Sequence, residues 1–412
     1  MTVLNQRFPA AEPITAHALV ERLQAEPPGG RLKVGDPRIV EFVTKFARKL
    51  LAPTTARRFP ELASLGFFLR KGEITKALDT SGDALRFPRG LVFHVPPANV
   101  DTIFVYSWAL SALAGNHNVV RVSSRSAGAA EAVLDALNSA LSEVDTETAA
   151  AITATQRMVT YDRSDEVSGA LSLAADLRVI WGGDASIEAL RRYPLKPHAR
   201  DLTFPDRSSF AIVSVPGWQA ASLAERRSAA EGFYNDAYWF DQAACSSPRA
   251  VFWVGDAEGA RVAGEEFRTL LLDVLAAKQH VIDPAMAVQK RVSAYGAAAD
   301  GTITAIAFDR GDNLATLELA EPAALPREWL GAGTFATSHV GSLAELVPIV
   351  VRKDQTVSHF GFTKDELTGF ASALGGRGVD RIVPFGSALA FSAIWDGYDL
   401  LAEFSRLVNV RS

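Results

Sequence analysis

The sequence holds one cysteine, Cys245. A lone cysteine closes no internal disulfide and leaves no CxxC pair for a structural metal, a pattern that suits a reducing compartment. The seven histidines do not cluster at metal-ligand spacing. No HExxH, GxSxG, P-loop or GxGxxG stretch occurs. No metal site is therefore expected. No run approaches the roughly 20 apolar residues of a membrane-spanning helix. The opening MTVLNQRFPAAEP also lacks the apolar stretch of a signal peptide, so the expected location is cytoplasmic. Neither sign of charge is in large excess: 42 Lys and Arg stand against 47 Asp and Glu, a formal net charge of −5. That balance implies no broad basic surface and argues against nucleic acid as the main partner.

What is present fits a globular α/β enzyme. A chain of 412 residues exceeds the usual size of one hydrophobic core and predicts two domains. From residue 90, strand-like and helix-like runs alternate. GLVFHV, NVVRVSS, MVTYD and LRVIWGG read as strands, with 10–15-residue amphipathic stretches between them. This rhythm predicts βαβ units and a parallel sheet. Ligands of such sheets bind outside the carboxyl ends of the strands, so the loops at 96–101, 123–126 and 182–185 are expected to line one crevice. FAIVSV near 210 opens a second block, with AVFWVG as a further strand. The expected division is 1–209, to which 386–412 return, and 210–385. Residues 1–80 read as a mixed helical or flap region.

Four stretches could carry chemistry, and each has a plainer alternative. In DQAACSSPR, Cys245 either fills space as a small hydrophobe or serves as a nucleophile. Its small neighbours Ala244, Ser246 and Ser247 leave room for a substrate, and Pro248 favours a loop. In HVPPANVDT, Asn99 either caps the next helix or donates its amide to an oxyanion. In NVVRVSSRS, Arg121, Ser123, Ser124 and Arg125 form either a solvated strand end or a cradle for ribose or phosphate. In WGGDAS, Gly182 and Gly183 make either a tight turn or a close backbone approach for an anion at a helix start. GGRG at 375–378 reads as a turn. His359, in QTVSHFGF, reads as structural unless the fold brings it to Cys245.

Taken in order, RGLVFHVPPANVDT, GNHNVVRVSSR, VIWGGDASI, DQAACSSPR, KDQTVSHFGF and RIVPFGSALAFSAIWDGYDL resemble the acyl-CoA reductases of the bacterial luminescence type, a branch of the aldehyde dehydrogenase superfamily. The resemblance runs from about 89 to 400. It implies an aldehyde dehydrogenase-like fold, with a Rossmann-like nicotinamide cofactor-binding domain over 1–209, joined by 386–412, and an α/β catalytic domain over 210–385 that carries the cysteine. It places Cys245 as nucleophile, Asn99 as oxyanion donor and Arg121 at the adenosine ribose, followed by Ser123 and Ser124. Gly182 and Gly183 fall at the pyrophosphate turn. VPFGS resembles the superfamily's "PFGG" stretch. Two departures stand out. Thr203, in TFPDRS, falls where aldehyde dehydrogenases keep a glutamate base, which suits an acyl-cysteine that is reduced rather than hydrolysed. The "EIFGP" stretch is not recognisable.

The resemblance therefore implies reduction of an acyl-CoA, or another acyl thioester, to an aldehyde. NADPH is the expected cofactor because Arg121 and Arg125 suit a 2′-phosphate; NADH stays open. A homo-oligomer and an acyl-activating partner enzyme are further expectations. The competing readings are a Cys245/His359 acyltransferase or thioesterase without a cofactor, and a non-catalytic member of an acyl-reductase complex.

Overall fold

In a computed structural model, the described residues are 2–79, 85–97, 103–123, 128–309 and 311–411. The chain divides into two compact units. Unit 1 is Met1–Pro205 with Phe391–Ser412, and unit 2 is Asp206–Ala390.

Unit 1 is built on strands β1 (Val3–Phe8), β2 (Glu12–Thr15), β3 (Leu85–Pro88), β4 (Leu91–Val95), β5 (His117–Arg121), β6 (Gln156–Thr160), β7 (Leu177–Trp181) and β8 (Arg200–Phe204). All but β3 form one sheet, in the order β2-β1-β6-β5-β4-β7-β8. From β6 to β8 the pairings are parallel. The chain runs outward from β4 through β5 to β6, then crosses to β7 and β8. Its direction thus reverses at β4, and the carboxyl ends of β4, β5 and β7 flank the switch point of a Rossmann-type sheet. β4 and β7 are buried along their whole length, as strands covered on both faces must be. One covering helix, Ile103–Leu113, is apolar all round and almost wholly buried.

Residues 16–79 carry five helices, in line with the helical reading, but strands precede them. β1 and β2 form an antiparallel hairpin that extends the sheet through β6. Leu4 and Phe8 point into the core while Val3 is exposed, a period-2 pattern too short to stand out. In helix Pro37–Leu50, Asp36 caps the start, Pro37 opens the first turn, and Ile39, Phe42, Val43 and Phe46 are buried. At the other end of the chain, Leu400, Leu401 and Phe404 are buried in the same unit's core. The final strand, Ser405–Val408, pairs antiparallel with β3 as a separate two-stranded ribbon.

Unit 2 carries β9 (Ser208–Ser214), β10 (Pro248–Val254), β11 (Ile303–Phe308), β12 (Ala315–Leu319), β13 (Thr334–Val340), β14 (Asp354–Phe360) and β15 (Arg381–Pro384). Their order is β11-β12-β13-β10-β9-β14-β15, parallel except at β11. Two apolar clusters cover the sheet. One is built around Trp218, Phe233 and Phe267, the other around Phe252, Leu317 and Phe370. The stretch 284–299 is helical. Asp283 caps that helix and Pro284 starts it. The GGRG turn is as expected: Gly375 ends helix Lys364–Leu374 in the left-handed region.

Candidate functional site

Unit 2 presents Cys245 on a turn just before β10. The preceding helix, Leu223–Tyr238, starts at a capping box between Ser222 and Glu225. The chain leaves it through two consecutive left-handed residues, Asp241 at φ 47° and Gln242 at φ 60°. Neither is glycine, so each conformation costs on the order of 1 kcal/mol. The Gln242 side chain secures this turn. Its amide donates to the carbonyls of Pro248 (2.9 Å) and Thr334 (3.0 Å), and its oxygen accepts from the Thr334 N–H (2.9 Å). Beyond the cysteine, the Ser247 hydroxyl donates to the Asp236 carbonyl at 2.7 Å. Cys245 itself is half-buried, and its carbonyl accepts from the Ser209 hydroxyl at 2.7 Å. The turn is thus tied to a helix and to β9, β10 and β13, as a pre-organised group requires.

A second tether runs from the same helix to the VPFGS stretch. The buried Asp236 carboxyl accepts from the backbone N–H of Gly386 and of Ala388, each at 2.8 Å. Gly232, one turn earlier, lets the backbone at Phe385 and Gly386 approach so closely that a Cβ would lie 2.9 Å from a Phe385 backbone atom. Burial pushes the Asp236 carboxyl up to about 7 against the pull of those two N–H donors. The Cys245 turn and the Gly386 loop therefore share Asp236 as a common anchor. Sequence reasoning missed both Gln242 and Asp236. Their partners lie 92 and about 150 positions away, and no local pattern announces them.

His359 does not join Cys245. Cys245 precedes the amino end of β10, whereas His359 lies near the carboxyl end of β14. The strands β10, β9 and β14 are parallel. Ser209, which holds the Cys245 carbonyl, also accepts from the Thr356 N–H at 3.1 Å. His359 lies three residues further along that strand, a rise of roughly 10 Å. Its Nδ1 is buried without a hydrogen-bond partner, and burial lowers its pKa.

In unit 1 the carboxyl ends of β4, β5 and β7 open on a cavity of about 450 Å³. Pro96, Pro97, Arg121, Trp181, Gly182 and Gly183 all line it. The structure thus brings together three of the sequence-predicted binding residues, Arg121, Gly182 and Gly183. Gly182 has φ +154°, and Gly183 starts helix Asp184–Arg191 without a side-chain cap. The Arg121 guanidinium lies 4.8 Å from the Tyr161 ring centre. The Arg121 Nε and the Trp181 Nε1 are buried donors with no partner. Unpaired buried donors are costly, and both belong to residues that line this cavity. Ser123 is half-buried and is not among the residues lining the cavity. Asn99, Ser124 and Arg125 lie outside the described residues. Among the described residues no His, Cys, Asp and Glu cluster could hold a metal ion, and no helix is long and apolar enough to cross a membrane.

Solved structures share this fold at low identity. An NAD-dependent aldehyde dehydrogenase from Sinorhizobium meliloti superposes with a TM-score of 0.67 at 14% identity, over 96% of this chain and 86% of that one. A betaine aldehyde dehydrogenase from Staphylococcus aureus in complex with NAD+ gives 0.65 at 11%, over 98% and 92%. The fold is aldehyde dehydrogenase-like. A long-chain acyl-protein thioester reductase from Photorhabdus laumondii is 26% identical over 336 residues, 78% of this chain and 63% of that protein. The chain thus spans under two thirds of that relative's length. The family model described as acyl-CoA reductase (LuxC) matches residues 61–407, and the chain belongs to that family.

Proposed function

We propose that the chain reduces an acyl thioester to an aldehyde through an acyl-cysteine on Cys245. The observation that carries this reading is the setting of the only cysteine. It sits half-buried on a turn held by Ser209, Gln242 and Ser247. A cysteine that merely filled space would need no such framework. Membership of the LuxC family supports the reading, as does the relative's name, a long-chain acyl-protein thioester reductase.

The Cys245 thiolate attacks the thioester carbonyl and forms a new C–S bond. Asn99, by its place in the family pattern, donates to the oxyanion. The oxyanion collapses, the donor's C–S bond breaks, and the departing thiolate takes up a proton. The nicotinamide, when bound, supplies the hydride that reduces the acyl carbon. Reduction leaves a tetrahedral oxyanion on Cys245, which collapses to aldehyde as the C–S bond breaks and the Cys245 thiolate departs. Thr203, in the position of the superfamily's glutamate, has a hydroxyl that cannot serve as a carboxylate base. It faces the Arg191 guanidinium at 3.5 Å. Lack of that base spares the acyl-cysteine from hydrolysis.

The cofactor is NADPH in this reading. Arg121, Gly182 and Gly183 hold it in the cavity of unit 1, with Ser123 and Ser124 on the ribose side. The acyl donor is CoA or an acylated carrier or partner protein. The deciding experiment is intact-mass analysis after incubation with a panel of acyl-CoAs, with Cys245→Ala in parallel. NADPH is then added and aldehyde measured. The expected result is a Cys245-dependent adduct that NADPH discharges as aldehyde. Discharge without NADPH would instead identify a thioesterase or acyltransferase.

A further inference from the structure

The parallel strands of unit 1 have an amino edge as well as a carboxyl edge, and the amino edge opens on a larger cavity of about 980 Å³. It is bounded by the starts of β4 and β5, by residues 23–34, and by the ribbon that β3 makes with Ser405–Val408. Nothing in the reaction proposed above uses it.

Its walls are strongly basic. Arg31, Lys33, Arg86, Arg89, Lys196 and Arg406 line it, against only two carboxylates, Glu26 and Asp176. This contrasts with the net charge of −5 for the whole chain. Asp176 is already engaged: it accepts from the Leu91 N–H at 2.9 Å and from Lys196 Nζ at 3.0 Å. Arg31, Lys33 and Arg406 have no ion-pair partner among the described residues. Arg89 adds to the crowding. Burial, with Arg200 and Arg406 nearby, lowers its pKa, and Glu403 offsets this only in part. Arg31, Lys33 and Arg406 are all exposed, so solvent screens their mutual repulsion in part, and a multiply charged anion among them offsets the rest. The floor, by contrast, is apolar, with Leu23, Leu32 and Leu91 buried beneath the charged rim.

Size and chemistry together narrow the ligand. The volume lies at the upper end of small-molecule sites, which run to about 1,000 Å³, and a concave pocket of this size takes a compact ligand, not a protein face. Several converging cations match a multiply charged phosphate, and the apolar floor matches a ring or hydrocarbon portion. We propose that this cleft binds a nucleotide-sized phosphate ester, with its phosphates on Arg31, Lys33 and Arg406 and its apolar portion on the floor. The site is separate from the Arg121 cavity, since the two open at opposite ends of the same strands.

The test is calorimetric titration of the full chain with ADP and with inorganic pyrophosphate, NADPH being kept saturating. Two variants accompany the wild type: the triple substitution Arg31→Ala, Lys33→Ala, Arg406→Ala, and Arg121→Ala at the other edge. The three replaced side chains have no ion-pair partner to lose, and thermal unfolding verifies that the triple variant folds. Both probes should bind the wild type and Arg121→Ala alike, and the triple variant should bind at least about tenfold more weakly. Equal affinity in the triple variant, loss on Arg121→Ala instead, or no binding at millimolar probe would each overturn the proposal. Since the comparison between variants needs no turnover, failure of the reductase reading would not alter its outcome.

Discussion

The Ser209 hydroxyl donates to the Cys245 carbonyl at 2.7 Å. The same oxygen accepts from the Thr356 N–H, at a point where the β9–β14 register shifts between Asp354 and Val357. The β9–β10 register shifts at the same level, between Pro248 and Val251. One side chain thus stands in for regular ladder contacts on both flanks of β9, directly beneath the proposed nucleophile. Ser209→Ala removes both bonds in a buried place and should cost about 1–3 kcal/mol. Acylation of Cys245 should slow by more than the loss of stability explains. Thermal unfolding and the rate of acyl-adduct formation by intact mass check this; an unchanged rate would separate Ser209 from the chemistry.

The Asp236 carboxyl predicts a pH dependence of stability. Its folded pKa, about 7, lies above the ordinary 3.8. The folded protein therefore holds a proton that the unfolded chain gives up at lower pH. This contribution is present in full below about pH 4 and is lost as the pH rises through 7. The wild type should lose stability relative to Asp236→Asn between pH 5 and pH 8, by on the order of 1–3 kcal/mol. Denaturant unfolding of both proteins at the two pH values measures the difference. Asparagine also turns one acceptor into a donor, so either Gly386 or Ala388 loses its partner. Turnover should accordingly fall at both pH values.

These two residues show where the sequence is legible and where it is not. Gly182 and Gly183 could be read because a strand, a glycine pair and a helix start are consecutive. The same holds for Arg121 at the end of β5. The parallel sheet followed from the alternation of apolar runs with helical periods. Tertiary partnerships left no such trace. Gln242 bonds to Thr334 and Asp236 to Gly386, across separations over which sequence periodicity carries no information. Cys245 and His359 lie in equally suggestive motifs, yet parallel strands put them at opposite ends of one sheet. The basic cleft gathers Arg31, Lys33 and Arg406 from the two ends of the chain, and the slightly acidic total conceals it.

Arg121 offers a test of cofactor preference. Arg121 lines the cavity, and its guanidinium sits over Tyr161. A charge-assisted bond to a 2′-phosphate is worth about 1.5–3 kcal/mol. Arg121→Ala should therefore raise the KM for NADPH roughly tenfold or more, and change that for NADH much less. Steady-state kinetics with both cofactors, in wild type and variant, gives the ratio. A uniform rise for both would assign Arg121 to the ribose alone. No change for either would remove it from the cofactor site.

Lys290 supplies a prediction about stability with the opposite sign. It is fully buried in helix Pro284–Ala299, and its Nζ donates to the Asp312 carbonyl at 2.7 Å. Burial lowers its pKa from 10.5 to about 8, despite Asp309 and Asp312 nearby. The unfolded chain thus binds a proton more tightly than the folded one, so the fold gains stability as the pH rises from about 8 towards 10.5. Near neutral pH the buried charge is a burden that an apolar side chain of similar length would not carry. Lys290→Met should stabilise unit 2 at pH 7 by about 1–2 kcal/mol, and the gain should shrink by pH 10. Unfolding midpoints at the two pH values test both the sign and the trend. Destabilisation at pH 7 would mean that the bond to Asp312 outweighs the cost of burying the ammonium.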